Sequence, residues 1–155
     1  MNIHIRPAEH TDLSEMIHLF VDTVTHINAM HYNPEQIQAW VYSTDREERW
    51  KERIDEQYFI VAEVNNAIAG LGSISSDGYL DLLYVHKDAQ RKGIAQAIMN
   101  ELNRHALEKG YNYISSDVSI TARPFFEKNA FTVVEEQSFE RNGIMLTNYK
   151  MSKGL

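Results

Sequence analysis

The spacing of apolar positions predicts helices in the first third of the chain. Residues 2–6 alternate like a short strand, which Pro7 ends. Helical spacing then recurs at Leu13, Met16, Ile17, Phe20, Val24 and Ile27. Capping signals predict where three helices begin: Asp12 with Glu15, Asn33 with Pro34, and Thr44 with Glu47. The second of these helices is expected to run through Trp40, and the third to about Ile54.

Strands and two further helices are predicted for the rest of the chain. Apolar runs indicate strands at 58–64, 67–75, 79–86 and 111–118, and a last pair flanking Asn142-Gly143. Asn65-Asn66 and Asn142-Gly143 have the composition of hairpin turns. A long helix is expected from about Arg91 to Lys109, where Gly110 ends it, and a short one at 121–130.

This order predicts an α/β fold with a mixed, mostly antiparallel sheet of about seven strands and helices on both faces. The hairpins exclude a simple doubly wound sheet. The strand–helix–strand unit at 79–118 can supply one parallel pair. A chain of 155 residues is expected to form one domain, residues 1–155.

Composition narrows the classes of function. The chain has no cysteine, which excludes disulfides and a thiol nucleophile. A formal net charge of −7 argues against general binding to nucleic acid or an anionic membrane. No apolar run approaches membrane length, and the first residues lack the pattern of a secretion signal, so a cytoplasmic protein is expected.

The stretch QRKGIAQAIM, residues 90–99, concentrates positive charge where the long helix begins. The first turn of a helix leaves amide N–H groups without internal partners, and the helix dipole favours an anion there. Gly93 allows close approach to the backbone, and Arg91 and Lys92 add mobile charge. The pattern predicts a site for a phosphate or pyrophosphate.

The same residues resemble a known signature. Gln90-Arg91-Lys92-Gly93-Ile94-Ala95 is similar to the Q/R-x-x-G-x-G/A motif of the GNAT superfamily of N-acetyltransferases, and SITARPFFEKNAF resembles a later segment of that family. The resemblance implies acetyl-CoA as cosubstrate and no metal. It implies that the following residues bind the cofactor: Leu83, Tyr84, Val85, Gln90, Arg91, Lys92, Gly93, Ile94, Ala95, Gln96, Ser119 and Phe126.

The resemblance also implies direct transfer of the acetyl group to an amine. The Val85 N–H would stabilise the developing oxyanion. Strand alternation is expected to place Tyr79, Asp81, Leu83 and Val85 on one face, with Asp81 as its only carboxylate. Asp81 is therefore the candidate base, with Tyr79 beside it. The alternative is that Asp81 is a solvated residue or an ion-pair partner.

One family feature is missing. The tyrosine that usually protonates the departing thiolate corresponds to Phe126, which has no proton to donate. The thiolate could leave unprotonated, or Tyr84 or Tyr149 could act instead. Three functions therefore stay open: an active N-acetyltransferase, a degenerate CoA-binding sensor or partner protein, and an acidic adaptor that binds a protein through its first helices.

The resemblance also implies that the acceptor amine lies against the helices between the first two strands. His31, Tyr32 and Trp40 are the candidate contacts there. The spacing of His26 and His31 does not suit a helical metal pair. A protein lysine, a peptide N-terminus, a polyamine, an aminoglycoside and an amino acid all stay open as acceptors, and edge strands leave a homodimer open.

Overall fold

The elements follow the predicted order in a computed structural model that describes residues 1–155. The strands are β1 His4–Pro7, β2 Tyr58–Val64, β3 Ala67–Ile74, β4 Leu80–Val85, β5 Tyr113–Ser119, β6 Thr132–Arg141 and β7 Ile144–Gly154. The helices are α1 Leu13–His26, α2 Pro34–Val41, α3 Arg46–Glu56, α4 Ile94–Glu108 and α5 Arg123–Lys128, with short 3₁₀ turns at His10–Asp12 and Asn28–Met30. No helix is long and apolar enough to cross a membrane.

The strands form two antiparallel sheets. One has the order β1-β2-β3-β4 and the other β5-β7-β6. Both predicted hairpins are present, and the left-handed φ of Asn65, Asn66, Asn142 and Gly143 explains why their turns favour these residues. The mixed, mostly antiparallel fold with helices on both faces is confirmed.

The parallel pair predicted within 79–118 is reduced to a single bridge. It joins Tyr79 to Ser115, where the Ser115 N–H donates to the Gly78 carbonyl at 3.0 Å. The Ser116 hydroxyl donates to the Leu80 carbonyl at 2.7 Å. Beyond these contacts β4 has no ladder with β5, so the two sheets diverge toward Val85.

Two of the three predicted helix starts are confirmed in position, because α1 begins directly after Asp12 and α2 directly after Asn33, but only Asn33 caps its helix with its side chain. The Asn33 side chain accepts from the Gln36 N–H at 2.8 Å, and the Gln36 side chain accepts from the Asn33 N–H. The third helix begins one residue later than predicted, with Asp45 rather than Thr44 at the N-cap position and no side-chain hydrogen bond to its first turn.

Tertiary partners explain why the first predicted capping pair is wrong. Asp12 precedes α1 without capping it, because its carboxylate accepts two hydrogen bonds from Arg6. Glu15 instead accepts from the Ile68 N–H of β3 at 2.9 Å.

Two apolar clusters cover the two faces of the sheets. One packs α4 and α5 against the strands around Ile98, Leu102 and Phe126. The other packs α1, α2 and α3 around Met16, Trp50 and other buried residues. The face under α4 requires glycine, because a Cβ on Gly72 would lie 2.5 Å from Ile98 Cγ2, and one on Gly70 would lie 2.8 Å from Ile98 Cδ1.

We expect Gly72→Ala to destabilise the protein by about 1–3 kcal/mol, because the added methyl overpacks the contact that seats α4 on β3. Denaturant unfolding would measure this change. Gly154→Ala is the matched control, since a Cβ there meets no atom within 4 Å. Equal stability of the two variants would contradict the close packing of α4.

Candidate active site

The divergence of the two sheets leaves backbone groups of β4 without a strand partner. The His86 N–H donates to the Ala69 carbonyl at 2.8 Å, so the Gly70–Val85 pair of the same ladder exchanges no hydrogen bonds. By the same alternation the N–H groups of Val85 and Leu83 point away from β3, toward the gap beside β5. They can bind an extended chain or an oxyanion there.

The connection from β4 to α4 is folded around this strand end. The Gln90 side chain donates to the Val85 carbonyl at 2.7 Å, and the Thr23 hydroxyl donates to the same carbonyl at 2.9 Å. Arg91 and Gly93 both have left-handed φ angles, of 60° and 84°. Where right-handed and left-handed backbone conformations follow one another, successive N–H groups point to the same side and form an anion-binding concavity.

The first turn of α4 completes this concavity. Its first internal hydrogen bond runs from the Ala97 N–H to the Gly93 carbonyl, so the N–H groups of Ile94, Ala95 and Gln96 have no partner within the helix. No side chain caps them. The Gln96 side chain is held by Asn100 and Asn129, which leaves only its backbone N–H for a ligand.

Arg91 and Lys92 are exposed, and neither forms an ion pair. α4 begins at Ile94 rather than at the predicted Arg91, because the left-handed residues before it cannot continue a helix. The open amides and the two cations fit a pyrophosphate group. A local sequence signal thus corresponds to a cationic helix start with open amides.

A cavity of about 460 Å³ opens where β4 and β5 diverge. β4, β5, α5 and the β6–β7 hairpin border it. Several predicted residues line it: Tyr32, Trp40, Tyr79, Asp81, Leu83, Tyr84, Ser119 and Phe126. The fold thus brings donor-side and acceptor-side candidates to one cavity, although His31 does not border it.

Asp81 does not lie on the face predicted for it. The β3–β4 register shifts between Ser73 and Ile74, which pair with Leu82 and Leu80 and leave Asp81 in a bulge. The bulge breaks the alternation that would have joined Asp81 to Leu83 and Val85.

Asp81 instead turns toward α3. Its Oδ2 accepts from Arg53 Nε at 2.7 Å and from Gln57 Nε2 at 2.9 Å. Both bonds end on Oδ2, so Oδ1 has no side-chain partner and can face the cavity. The sequence left open that Asp81 is an ion-pair partner, and the structure shows that ion pair, with Arg53.

A second carboxylate, Asp117 of β5, also lines the cavity and was not singled out from the sequence. The Tyr79 hydroxyl donates to Asp117 Oδ2 at 2.7 Å, and the Gln137 side chain donates to Oδ1. Burial and the Asp117 carboxylate raise the pKa of Tyr79 well above its ordinary value, so Tyr79 keeps its proton at neutral pH. The alternation of β5 was the signal that could have placed Asp117 on an open face.

Phe126 and Ser119 occupy the far wall of the cavity. Phe126 is buried, and its ring packs edge-on against Phe131 at 5.0 Å between centroids. The Ser119 hydroxyl accepts from the Ala122 N–H at 3.0 Å and from Asn28 Nδ2 at 3.4 Å. Both residues shape the cavity, and Phe126 supplies it with no proton donor.

Tyr84 and Trp40 form the wall on the side of α1 and α2. The Tyr84 ring packs edge-on against Phe20 at 5.0 Å between centroids. Burial raises the pKa of Tyr84 to about 12, while a hydrogen bond with Trp40 opposes the shift. A hydroxyl with this pKa is a weak acid toward a thiolate, whose parent thiol has a pKa of about 8.5.

Tyr32 is fixed by hydrogen bonds, whereas its neighbour His31 lies at the surface. The Tyr32 hydroxyl donates to the Thr147 carbonyl at 2.7 Å and accepts from the Ile120 N–H at 3.0 Å. It therefore links the segment before α2 to the residue after β5 and to the first half of β7. His31 Nδ1 lies 2.9 Å from the Thr121 hydroxyl at the rim.

Comparisons with known proteins identify the class that this fold and site define. A family model described as an acetyltransferase (GNAT) domain matches residues 28–153. The N-acetyltransferase YafP of Escherichia coli (strain K12) is 35% identical over 150 residues, which are 97% of this chain and 95% of the relative. The chain belongs to the GNAT family and is an acyltransferase.

Solved structures agree with this assignment. A GCN5-related N-acetyltransferase from Rhodopseudomonas palustris is 26% identical, with a TM-score of 0.94 over 100% of this chain and 97% of the other. The PaiA N-acetyltransferase from Thermoplasma acidophilum, solved in complex with coenzyme A, has the same fold, with a TM-score of 0.82 at 20% identity over 100% of both chains.

We expect Tyr32→Phe to lower the free energy of unfolding by about 1–3 kcal/mol, because the Ile120 N–H and the Thr147 carbonyl lose their shared partner. Urea unfolding would measure this loss. Tyr113→Phe is the control, since Tyr113 is 51% exposed and its hydroxyl makes no hydrogen bond. No difference between the two variants would show that the Tyr32 hydroxyl does not hold this wall.

Proposed function

We propose that the protein transfers an acetyl group from acetyl-CoA directly to a primary amine of a small molecule, peptide or protein. The observation that carries the proposal is the unpaired Val85 N–H beside the open amides of α4. This arrangement offers one donor for a carbonyl oxygen and a separate site for a pyrophosphate. The test is release of free thiol from acetyl-CoA, measured with and without added amines.

The donor side rests on backbone groups. The backbone of Leu83 and Val85 would pair with the pantetheine arm, as a missing strand partner of β4. The N–H groups of Gly93, Ile94, Ala95 and Gln96 would hold the pyrophosphate, with Arg91 and Lys92 around it. The Gln90 side chain takes no direct part in this scheme, because it fixes the Val85 carbonyl.

The transfer step needs a neutral amine, and a free alkylamine has a pKa near about 10.4. Asp81 is the proposed base or the holder of a water that relays the proton. Arg53 and Gln57 fix Oδ2 of this carboxylate, which leaves Oδ1 for an ammonium or a water. Tyr79 keeps its proton and is proposed to orient the acceptor together with Asp117.

The departing thiolate has no tyrosine at the usual position, since Phe126 stands there. The high pKa of Tyr84 disfavours it as the donor. We propose that the thiolate leaves as an anion and is protonated by solvent. A sensor without turnover stays as the alternative, and it predicts binding of acetyl-CoA with no thiol release for any amine.

We expect acetyl-CoA at a hundredfold excess over its dissociation constant to stabilise the wild type by about 2.7 kcal/mol. Gly93→Glu should abolish this gain, because its carboxylate repels the pyrophosphate and its side chain disfavours the left-handed backbone. Thermal unfolding with and without acetyl-CoA measures the effect.

Gly110→Glu is the matched control, since Gly110 also has a left-handed φ, of 76°, at the other end of α4. It carries the same added charge and the same backbone strain. Retained stabilisation in Gly93→Glu would place the pyrophosphate elsewhere.

We expect Asp81→Asn to lower kcat/KM by at least about tenfold, within the range lost when a positioned proton-transfer group is removed. Binding of acetyl-CoA should stay near normal, because the donor contacts lie further along β4. Higher pH should restore part of the rate if deprotonation is the defect, since more of the amine is then neutral. Steady-state kinetics across pH would check this, and a wild-type rate at neutral pH would remove Asp81 from the mechanism.

A further inference from the structure

A second cavity lies next to the proposed transfer cavity. Its volume is about 400 Å³, and it lies between the segment that joins α2 to α3, the first turns of α3, and the turn between β6 and β7. Its lining is Phe20, Trp40, Tyr42, Ser43, Thr44, Asp45, Arg46, Arg49, Trp50, Arg53, Arg141 and Asn142. We call it the arginine pocket.

The arginine pocket is positively charged in an acidic protein. Half of the chain's eight arginines line it, against one aspartate, although the whole chain has a net charge of −7. Arg53 is paired with Asp81. Arg46, Arg49 and Arg141 form no ion pair with any carboxylate of the protein. Three guanidinium groups in one pocket are therefore free to bind an anion.

The one aspartate of the pocket, Asp45, lies close enough to Arg46 and Arg49 to offset part of their charge, but it forms an ion pair with neither. Asp45 accepts a hydrogen bond from the Ser43 hydroxyl at 2.5 Å and makes no ion pair. The Arg46 guanidinium lies 5.3 Å from the centroid of the Phe20 ring, and burial lowers its pKa from the ordinary value. A partly desolvated guanidinium without a carboxylate partner is unfavourable, and a bound anion would relieve that cost.

The two cavities share a wall. Trp40 and Arg141 line both of them, and Arg53 of the pocket is bonded to Asp81 of the transfer cavity. The carboxylates Asp81 and Asp117 and the unpaired arginines therefore border adjoining cavities. The cavity with the carboxylates suits an ammonium group, and the arginine pocket suits an anion.

We propose that the acceptor is an amine that also carries a carboxylate or phosphate group, and that Arg46, Arg49 and Arg141 bind this anionic group. The inference rests on the proposed function and adds the substrate class to it. Arginine forms paired hydrogen bonds to both kinds of anion, which lysine does not. Polyamines and aminoglycosides are disfavoured, because their further cations would meet three arginines without an ion pair.

The experiment compares matched acceptors in the acetyl-CoA thiol-release assay. The series are ω-amino carboxylates and ω-amino phosphonates of increasing chain length, with alkylamines and diamines of the same lengths. We expect the best anionic acceptor to exceed its matched alkylamine in kcat/KM by at least about tenfold, as expected for hydrogen bonds between charged groups. The better of the two anionic series identifies whether the natural group is a carboxylate or a phosphate.

Arg49→Gln and Arg141→Gln test the pocket, because both side chains are exposed. Arg49→Gln should raise the KM for the anionic acceptor about tenfold and leave kcat/KM for the alkylamine and binding of acetyl-CoA unchanged. Arg141→Gln should weaken the anionic acceptor more than the alkylamine, since Arg141 also borders the transfer cavity and packs over Phe139. Lys51→Gln is the control. It removes one positive charge from an exposed position of the same helix, α3, outside the pocket, and should change neither acceptor.

Two results would overturn the inference. One is that alkylamines or diamines are acetylated as well as the anionic acceptors. The other is that both arginine variants weaken every acceptor equally. In either case acetyl transfer itself is still observed, so the proposed function stands.

If no amine releases thiol, the proposed function fails, and calorimetric binding of the ω-amino carboxylates then decides the inference. Binding that Arg49→Gln and Arg141→Gln weaken supports the arginine pocket as an anion site. Absence of binding to the wild type overturns it.

Discussion

The site depends on the separation of β4 from β5. Backbone N–H and C=O groups in a sheet normally pair with the next strand. Here the pairing stops after Gly78 and Leu80, and the groups of Leu83 and Val85 are left to bind something else. The same separation opens the cavity between the sheets. A single break in hydrogen bonding thus leaves unpaired backbone donors beside an open cavity.

Charge is distributed to match this geometry. The protein is acidic overall, yet five of its cations without an ion pair lie at two places beside the break. Arg91 and Lys92 flank the open amides of α4, where a pyrophosphate is proposed. Arg46, Arg49 and Arg141 line the pocket on the other side of Trp40. Two anionic ends would thus bind on either side of the carboxylates Asp81 and Asp117, which suit the amine.

The sequence by itself determined the features that depend on neighbours along the chain. Asn33 predicts a helix start because its side chain bonds an N–H three residues later. Asn142-Gly143 predicts a hairpin because both residues tolerate a left-handed backbone. Gly93 and the cations before it predict an anion site because they are adjacent in the chain at the start of a helix. These signals were sufficient for the order of elements and the fold class.

Only the tertiary structure decided which side chains meet across the chain. Asp12 and Asp81 both bind distant arginines, Arg6 and Arg53, which no local pattern predicts. The bulge that turns Asp81 toward α3 arises from the pairing of β4 with β3, and strand alternation alone cannot reveal it. The arginine pocket joins the start of α3 to the end of β6. Local spacing carries no signal for such a cluster, because its members are neighbours only after the sheets and helices have packed.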